Sequence, residues 1–164
     1  MKKLLVIGAG GHGMVVKETA EAIGYDKVDF VDDASSIAIG KVSDLANFVD
    51  EYKEAFVGIG NNNFRKTLLD KLEQYGYSVP VLIHPTAYVS KSADIGEGTI
   101  VEPMAIVNAN SKVGKGCIIS VGAIVDHDVE LQYCVHVNAG AICKAGSKVE
   151  ECRKLQAGEV VLGY

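Results

Sequence analysis

The sequence is poor in positive charge, in long apolar runs and in paired cysteines. Sixteen lysines and arginines stand against 21 aspartates and glutamates, a formal net charge of -5. Nucleic-acid binding needs clustered basic side chains, so this balance argues against that class. No apolar run approaches the ~18 residues of a membrane span, and we expect no membrane partner. The four cysteines form no CxxC pair, so we expect no metal site and buried, reduced thiols in a cytoplasmic protein.

The residues before Pro80 alternate short apolar runs with helical patterns. Hydrophobic residues make up 48% of the 164, which is enough for a packed core. A β-α-β-α-β-α order predicts a parallel sheet with right-handed crossovers. We therefore expect an α/β, Rossmann-like half domain over residues 1–79, large enough for one mononucleotide-binding half. The predicted strands are 3–7, 28–31 and 55–59, and the predicted helices are 14–23, 42–49 and 63–75.

After Pro80 the sequence follows a six-residue period. Fourteen successive positions from Ile83 to Val161 are apolar, and the residue four places further on is small or β-branched in the first eleven hexads. Three hexads close a triangular coil of 18 residues whose strands pair in parallel. The second half, residues 80–164, is thus predicted to be a left-handed parallel β-helix. The pattern weakens where Arg153 and Glu159 replace the small residue.

A glycine-rich loop follows the first predicted strand. Residues 8–13 read GAGGHG and match GxGxxG, which lets backbone approach a ligand at a helix N-terminus. Asp32 ends the second strand, where a carboxylate can bind a ribose hydroxyl. These features alone support a nucleotide, NAD included. A tight turn without a ligand is the alternative.

His127 is the strongest candidate for acid–base chemistry. It is the third residue of the hexad that begins at Val125, and we expect it to point outward from the coil. A histidine can take a proton from an attacking amine, and an adjacent carboxylate can hold its tautomer. Asp126 and Asp128 are both possible partners. The alternative is an ordinary exposed histidine in a turn.

Taken in order, three motifs and the repeat resemble one family. They are the loop Ile7-Gly8-Ala9-Gly10-Gly11-His12-Gly13, the pair Asp32-Asp33, the run Ile59-Gly60-Asn61-Asn62 and the β-helix. The combination resembles the bacterial hexapeptide-repeat sugar acetyltransferases, which include the UDP-amino-sugar N-acetyltransferases and the sialic acid O-acetyltransferase group. The resemblance implies acetyl-CoA as co-substrate, a nucleotide-linked amino sugar of the UDP-4-amino-sugar type as acceptor, and a homotrimer.

The resemblance also implies roles for individual residues. It makes His127 the general base, supported by Asp128, and it places His136 and Ala157 against acetyl-CoA. His136 and His127 belong to different prism faces, so they can meet only across a subunit boundary. Arg65, one turn into the helix predicted over residues 63–75, is expected to reach a phosphate, and a solvated helix face is the alternative. The residues implied to bind the sugar nucleotide are Gly10, Gly11, His12, Asp32, Asp33, Gly60 and Asn61.

The C-terminal coils depart from the family pattern. Such proteins continue for about two more coils that carry part of the CoA groove, so the sequence predicts a shortened donor half. Three alternatives to N-acetyl transfer therefore stay open. They are a nucleotide-sugar-binding or regulatory trimer without acetyl transfer, a sialic acid O-acetyltransferase, and an NAD-binding module.

Overall fold

The first half of the molecule is a three-stranded parallel sheet with helices. The computed structural model describes residues 1–164. The central strand β1 lies between β2 and β3, and all its partners run parallel. Residues 4–7 of β1 are fully buried, as expected for the middle strand of a parallel sheet covered on both sides. The strands are β1 (Lys3–Ile7), β2 (Lys27–Val31) and β3 (Glu54–Val57), and the helices are α1 (Gly11–Ala22), α2 (Leu45–Phe48) and α3 (Asn62–Gln74).

Two helices differ from the sequence prediction by more than one residue at an end. Helix α1 begins at Gly11, three residues before the predicted start at Met14, because the glycine-rich loop turns directly into the helix with Gly10 as its N-cap. The predicted helix 42–49 is a 3-10 turn, Val42–Asp44, followed by the single turn α2. A short segment with only one buried residue in its helical turn, Leu45, has little packing to extend it.

The second half is a triangular prism, a left-handed parallel β-helix, as predicted. Each coil has 18 residues, since Ile100 pairs with Ile118 and Ile118 with His136. The strands form three parallel sheets. The first sheet contains β4 (Leu82–Ile83), β7 (Ile100–Val101), β10 (Ile118–Ile119) and β13 (His136–Val137). The second contains β5 (Tyr88–Val89), β8 (Ile106–Val107), β11 (Ile124–Val125), β14 (Ile142–Cys143) and β16 (Val160–Val161). The third contains β6 (Asp94–Ile95), β9 (Lys112–Val113), β12 (Glu130–Leu131) and β15 (Lys148–Val149).

The prism interior is built from the two predicted registers. The second residue of each strand points inward, and Val101, Ile119 and Val137 are fully buried. Ala105 and Ala123 are two of the small residues that lie four places after an inward apolar residue, and they are also fully buried. Together with their equivalents they form one core cluster of 16 residues. Each buried Val or Ile contributes roughly 1.5–3 kcal/mol of transfer free energy, which makes this cluster the main source of stability in the second half.

The three outer faces of the prism have different chemistry. The first residues of β4, β7 and β10 are buried against β1 and α1 of the first half, and we call this sheet the covered face. The third sheet is the charged face, and its outward residues are Asp94, Lys112, Glu130 and Lys148. The second sheet is the apolar face, and its outward residues are Tyr88, Ile106, Ile124, Ile142 and Val160.

Arg65 joins the two halves and does not face solvent. Its side chain is 1% exposed. Its guanidinium donates to the carbonyls of Gly116 at 2.7 Å and Cys134 at 2.9 Å in the prism, and to that of Ile59 at 3.0 Å in the first half. Asn62 accepts a further bond at 2.7 Å. The expectation that Arg65 reaches a substrate phosphate is therefore wrong, because its guanidinium N–H groups are already hydrogen-bonded to other groups of the protein.

The prism continues through the segment where the repeat weakens. Leu155 is fully buried and β16 pairs with β14. Arg153 and Glu159 occupy positions where the repeat otherwise has a small residue, and they form an ion pair at 2.7 Å. Each therefore neutralises the other outside the core. All four cysteines are free thiols, three of them buried, as expected. No helix has the length and apolar character needed to span a membrane.

Candidate active site

His127 lies on the corner between the apolar face and the charged face. We call residues 126–128 the histidine corner. The His127 imidazole Nδ1 lies 2.7 Å from Asp128 Oδ2. Asp126 instead accepts the backbone N–H of His127 at 2.7 Å. Of the two carboxylates that the sequence left open, Asp128 is therefore the imidazole partner, and Asp126 fixes the turn.

Two asparagines of the preceding coil hold these carboxylates. Asn108 Nδ2 donates to Asp126 at 3.2 Å, and Asn110 Nδ2 donates to Asp128 at 3.3 Å. Asp128 and Asn110 both have φ near +60°, a left-handed conformation that Asn and Asp tolerate better than other non-glycine residues. These two contacts were not predicted from the sequence. The signal was the spacing of 18 between each asparagine and its aspartate.

The electrostatics of the histidine corner favour a proton acceptor. The hydrogen bond to Asp128, with smaller effects of Asp126, raises the pKa of His127 above its ordinary value. The bond to His127 in turn lowers the pKa of Asp128. An ionised Asp128 keeps the proton of neutral His127 on Nδ1, which leaves the Nε2 lone pair available. The side chain is 46% exposed, so the imidazole is accessible from solvent.

The glycines of the first half fall into two groups. A Cβ at Gly13 would overlap the carbonyl oxygen of Gly8, and one at Gly58 would lie 2.8 Å from the Cα of Gly13. These glycines allow strand and helix to pack closely. Gly10 and Gly11, in contrast, have no atom within 4 Å of such a Cβ. Their backbone faces open space at an α1 N-terminus with no side-chain cap and no acidic residue in its first turn, an arrangement that favours an anion.

The remaining predicted sugar-nucleotide residues surround this loop. Asp32 accepts the backbone N–H of Ala9 at 2.9 Å, and this bond is the largest cause of its lowered pKa. Asp33 accepts the N–H of Val42 at 3.0 Å, and Asn61 is the N-cap of α3. The pair Asp32-Asp33 lines a pocket of about 170 Å³ together with Gly8. Gly60, like Gly10, borders open space.

His12 and His136 lie in a buried polar cluster between the halves. His12 Nδ1 is 3.6 Å from Glu102 Oε1, and His136 Nε2 is 2.9 Å from Ser120 Oγ. Burial, with Arg65 nearby, lowers the pKa of His12 to about 4. Burial, with Lys154 as the next cause, lowers the pKa of His136 to about 3. Both imidazoles are therefore neutral at pH 7, and sequence reasoning missed Glu102 and Ser120, for which we find no sequence signal.

One chain does not bring the predicted groups together. The glycine loop reaches the prism at Glu102, on the corner between the covered and apolar faces, whereas His127 lies on the other edge of the apolar face. His136 is buried at 8% exposure on the covered face, apart from His127 as expected. Ala157 is exposed in a turn near the end of the prism. The candidate site is thus divided between opposite edges of one face.

Comparisons with known proteins agree with this architecture. A model of the PglD N-terminal domain matches residues 3–72. The acetyltransferase domain of PglB from Neisseria gonorrhoeae FA1090, solved with acetyl coenzyme A, has a TM-score of 0.94 and 38% identity, covering 97% of this chain and 81% of that one. The chain belongs to the sugar acetyltransferase family.

Two further relatives support the family assignment. The UDP-N-acetylbacillosamine N-acetyltransferase of Bacillus subtilis (strain 168) is 34% identical over 112 residues, which are 62% of this chain and 51% of that protein. The match thus spans about half the length of this curated relative. A mutant perosamine N-acetyltransferase from Caulobacter crescentus, solved with CoA and GDP-perosamine, has 30% identity and a TM-score of 0.93, covering 99% of this chain and 90% of that one. The resemblance stated from the motifs is confirmed, as is the acyltransferase class.

Proposed function

We propose that this chain transfers an acetyl group from acetyl-CoA to an amine of a nucleotide-linked sugar. The observation that carries the proposal is the His127–Asp128 pair at 2.7 Å on an exposed corner, in a chain of the sugar acetyltransferase family. Related proteins are named for UDP-linked and GDP-linked amino-sugar chemistry. Residues 1–79 serve as the sugar-nucleotide-binding unit, and residues 80–164 serve as the transferase unit.

His127 acts as the general base in this proposal. Acetyl-CoA supplies the acetyl group as a thioester. Nε2 of His127 takes a proton from the sugar amine as the amine nitrogen bonds to the thioester carbonyl carbon. The C–S bond breaks, and the departing CoA thiolate takes up that proton, which returns His127 to its neutral form. Asp128 stabilises the imidazolium that forms, because its carboxylate lies on Nδ1.

The first half supplies the acceptor side. The N-terminus of α1 carries free backbone N–H groups beside Gly10 and Gly11, and it favours the phosphates of the nucleotide. Neutral His12 adds a hydrogen-bonding group without adding charge. Asp32 and Asp33 line the adjoining pocket, and we propose that these residues, with Gly60 and Asn61, contact the sugar nucleotide. His136 and Ala157 remain the proposed acetyl-CoA contacts.

A homotrimer assembles the divided site. The apolar face exposes Tyr88 at 58% and Val160 at 50%, with Ile106, Ile124 and Ile142 between them. An exposed apolar stripe of this length marks an interaction surface. Packing this face of one copy beside the next brings the histidine corner of one subunit to the glycine loop of its neighbour, and three triangular prisms close a cyclic ring.

Replacing Ile142 with lysine is expected to convert the trimer into monomers. Ile142 is the outward residue of β14, so the core residue Cys143 beside it is unaffected. A charge on the apolar stripe leaves a desolvated ammonium in the interface. Analytical ultracentrifugation measures the result. Lys148→Ala on the charged face is the control and should remain trimeric, and a trimeric Ile142→Lys variant would contradict the assignment of the interface.

The pH profile of the reaction should report the Asp128 contact. Protonated His127 cannot act as a base, so kcat/KM should rise as pH passes upward through its raised pKa. Asp128→Asn removes the carboxylate whose hydrogen bond is the largest cause of the raised pKa of His127. We expect the acidic limb to move to lower pH and the plateau to fall by roughly ten-fold or more, because the imidazolium loses its partner. An unchanged acidic limb would show that a group other than His127 controls it.

Acetyl-CoA consumption, measured with a panel of acceptors, tests the proposed function. The panel contains UDP- and GDP-linked amino sugars, sialic acid, and the same nucleotides without an amine. We expect turnover only with nucleotide-linked amino sugars. Turnover with sialic acid would assign O-acetyl transfer, and nucleotide-sugar binding without any turnover would assign a regulatory protein. Preferential binding of NAD in calorimetry would support the dinucleotide alternative.

A further inference from the structure

Tyr164 contacts the same carboxylate oxygen that binds His127. Its hydroxyl donates to Asp128 Oδ2 at 3.3 Å, and its ring centroid lies 6.5 Å from that of His127. Asn110 holds the other oxygen, Oδ1, at 3.3 Å. Asn110, His127 and Tyr164, which belong to three different coils of the prism, therefore all contact the exposed carboxylate of Asp128. None of the roles described above uses Tyr164.

The position of the Tyr164 ring depends on the residue beneath it. Asn110, Asp128, Gly146 and Tyr164 succeed one another at intervals of 18 residues on this corner. Gly146 has φ +71°, and a Cβ there would overlap the tyrosine ring. The absent side chain leaves room for the ring over Gly146, and the hydroxyl reaches Asp128. The backbone N–H of Tyr164 also donates to the carbonyl of Ala145 at 3.3 Å.

We propose that Tyr164 is a positioning residue of the His127–Asp128 pair. Its hydroxyl and the His127 imidazole both bind Asp128 Oδ2, and the hydroxyl limits how strongly that oxygen binds the imidazole. A second donor withdraws charge from the shared oxygen. Removing the hydroxyl should therefore strengthen the bond to the imidazolium. The ionisable groups facing His127 are Asp126 and Asp128 on its own corner and Tyr164. The inference rests on the proposed function only for its effect on turnover.

NMR titration of the histidine ring resonances tests the proposal in Tyr164→Phe. We expect the midpoint of His127 to move to higher pH, and kcat/KM below the midpoint to fall by about two-fold. The resonance is identified by its loss in His127→Asn. The acidic limb of the rate profile should move with the midpoint. A midpoint equal to that of the unsubstituted protein, or one displaced to lower pH, would overturn the proposal.

Tyr133→Phe is the matched control. The Tyr133 hydroxyl also binds a carboxylate, that of Asp70 at 3.1 Å, but beside α3 and on a different corner. Its removal should leave the His127 midpoint unchanged, and an equal displacement in both variants would overturn the proposal. A displaced midpoint in Tyr164→Phe, in a protein that acetylates none of the acceptors, would support the contact while refuting the proposed function.

Discussion

Replacing His127 with alanine is expected to lower kcat by about 10²- to 10⁴-fold, the usual contribution of a general base. The imidazole Nε2 is the acceptor that the Asp128 contact leaves free on this corner. Because the side chain is exposed, its removal should leave the fold and the binding of both substrates nearly intact. The loss should therefore appear in kcat with little change in KM. Steady-state kinetics with the best acceptor of the panel measure it.

Two variants sharpen this experiment. His127→Asn keeps much of the shape but cannot accept the proton at neutral pH, so it should lose as much activity as the alanine variant. Lys91→Ala is the control, because Lys91 occupies the equivalent place two coils earlier, 36 residues before His127. It should retain full activity. If His127→Ala keeps more than a tenth of the wild-type kcat, His127 is not the base.

Replacing Arg65 with methionine is expected to destabilise the protein by about 3–5 kcal/mol. The substitution keeps an apolar stem but leaves the carbonyls of Gly116 and Cys134 buried without their donor. Each orphaned group costs about 1–3 kcal/mol, and bonds from a charged donor are at the upper end. Urea unfolding measures the change in the free energy of unfolding. The protein concentration is kept fixed so that any contribution of oligomerisation stays constant.

Lys66→Met is the neighbouring control for Arg65. Lys66 pairs with Glu151 on the surface, and exposed ion pairs contribute at most about 1 kcal/mol. Arg65→Lys should recover only part of the loss, because an ammonium cannot reach acceptors on both halves at once. If Arg65→Met unfolds at the same urea concentration as the unsubstituted protein, Arg65 does not join the halves.

The fold was largely predictable because its two parts obey strong periodicities. The hexad pattern located the inward residues from Ile83 onward, because an apolar residue every six positions is typical of a β-helix. Helix ends were less accurate. Residues 42–49 look helical in sequence, but only Leu45 of the helical turn is buried, and local pattern alone cannot reveal that lack of packing.

The histidine corner was predictable, whereas the boundary between the halves was not. His127 follows from its place in a hexad, and Asp128 follows from adjacency. The role predicted for Arg65 was wrong because helix periodicity does not tell which partner covers a side chain. Here the partners are the carbonyls of Gly116 and Cys134, more than 50 residues further along the chain. Glu102 meets His12 across 90 residues of sequence, a contact that only tertiary packing creates.

The 18-residue coil restricts how the length of the second half can change. Inserting or deleting one residue between Ile83 and Asp126 would shift His127 from its corner and turn inward side chains outward. A change of one whole coil keeps every inward residue inward and moves the histidine corner by one strand spacing, about 4.8 Å. Natural variation in this segment should therefore occur in steps of a coil, and the distance from His127 to the first half is adjustable only in those steps.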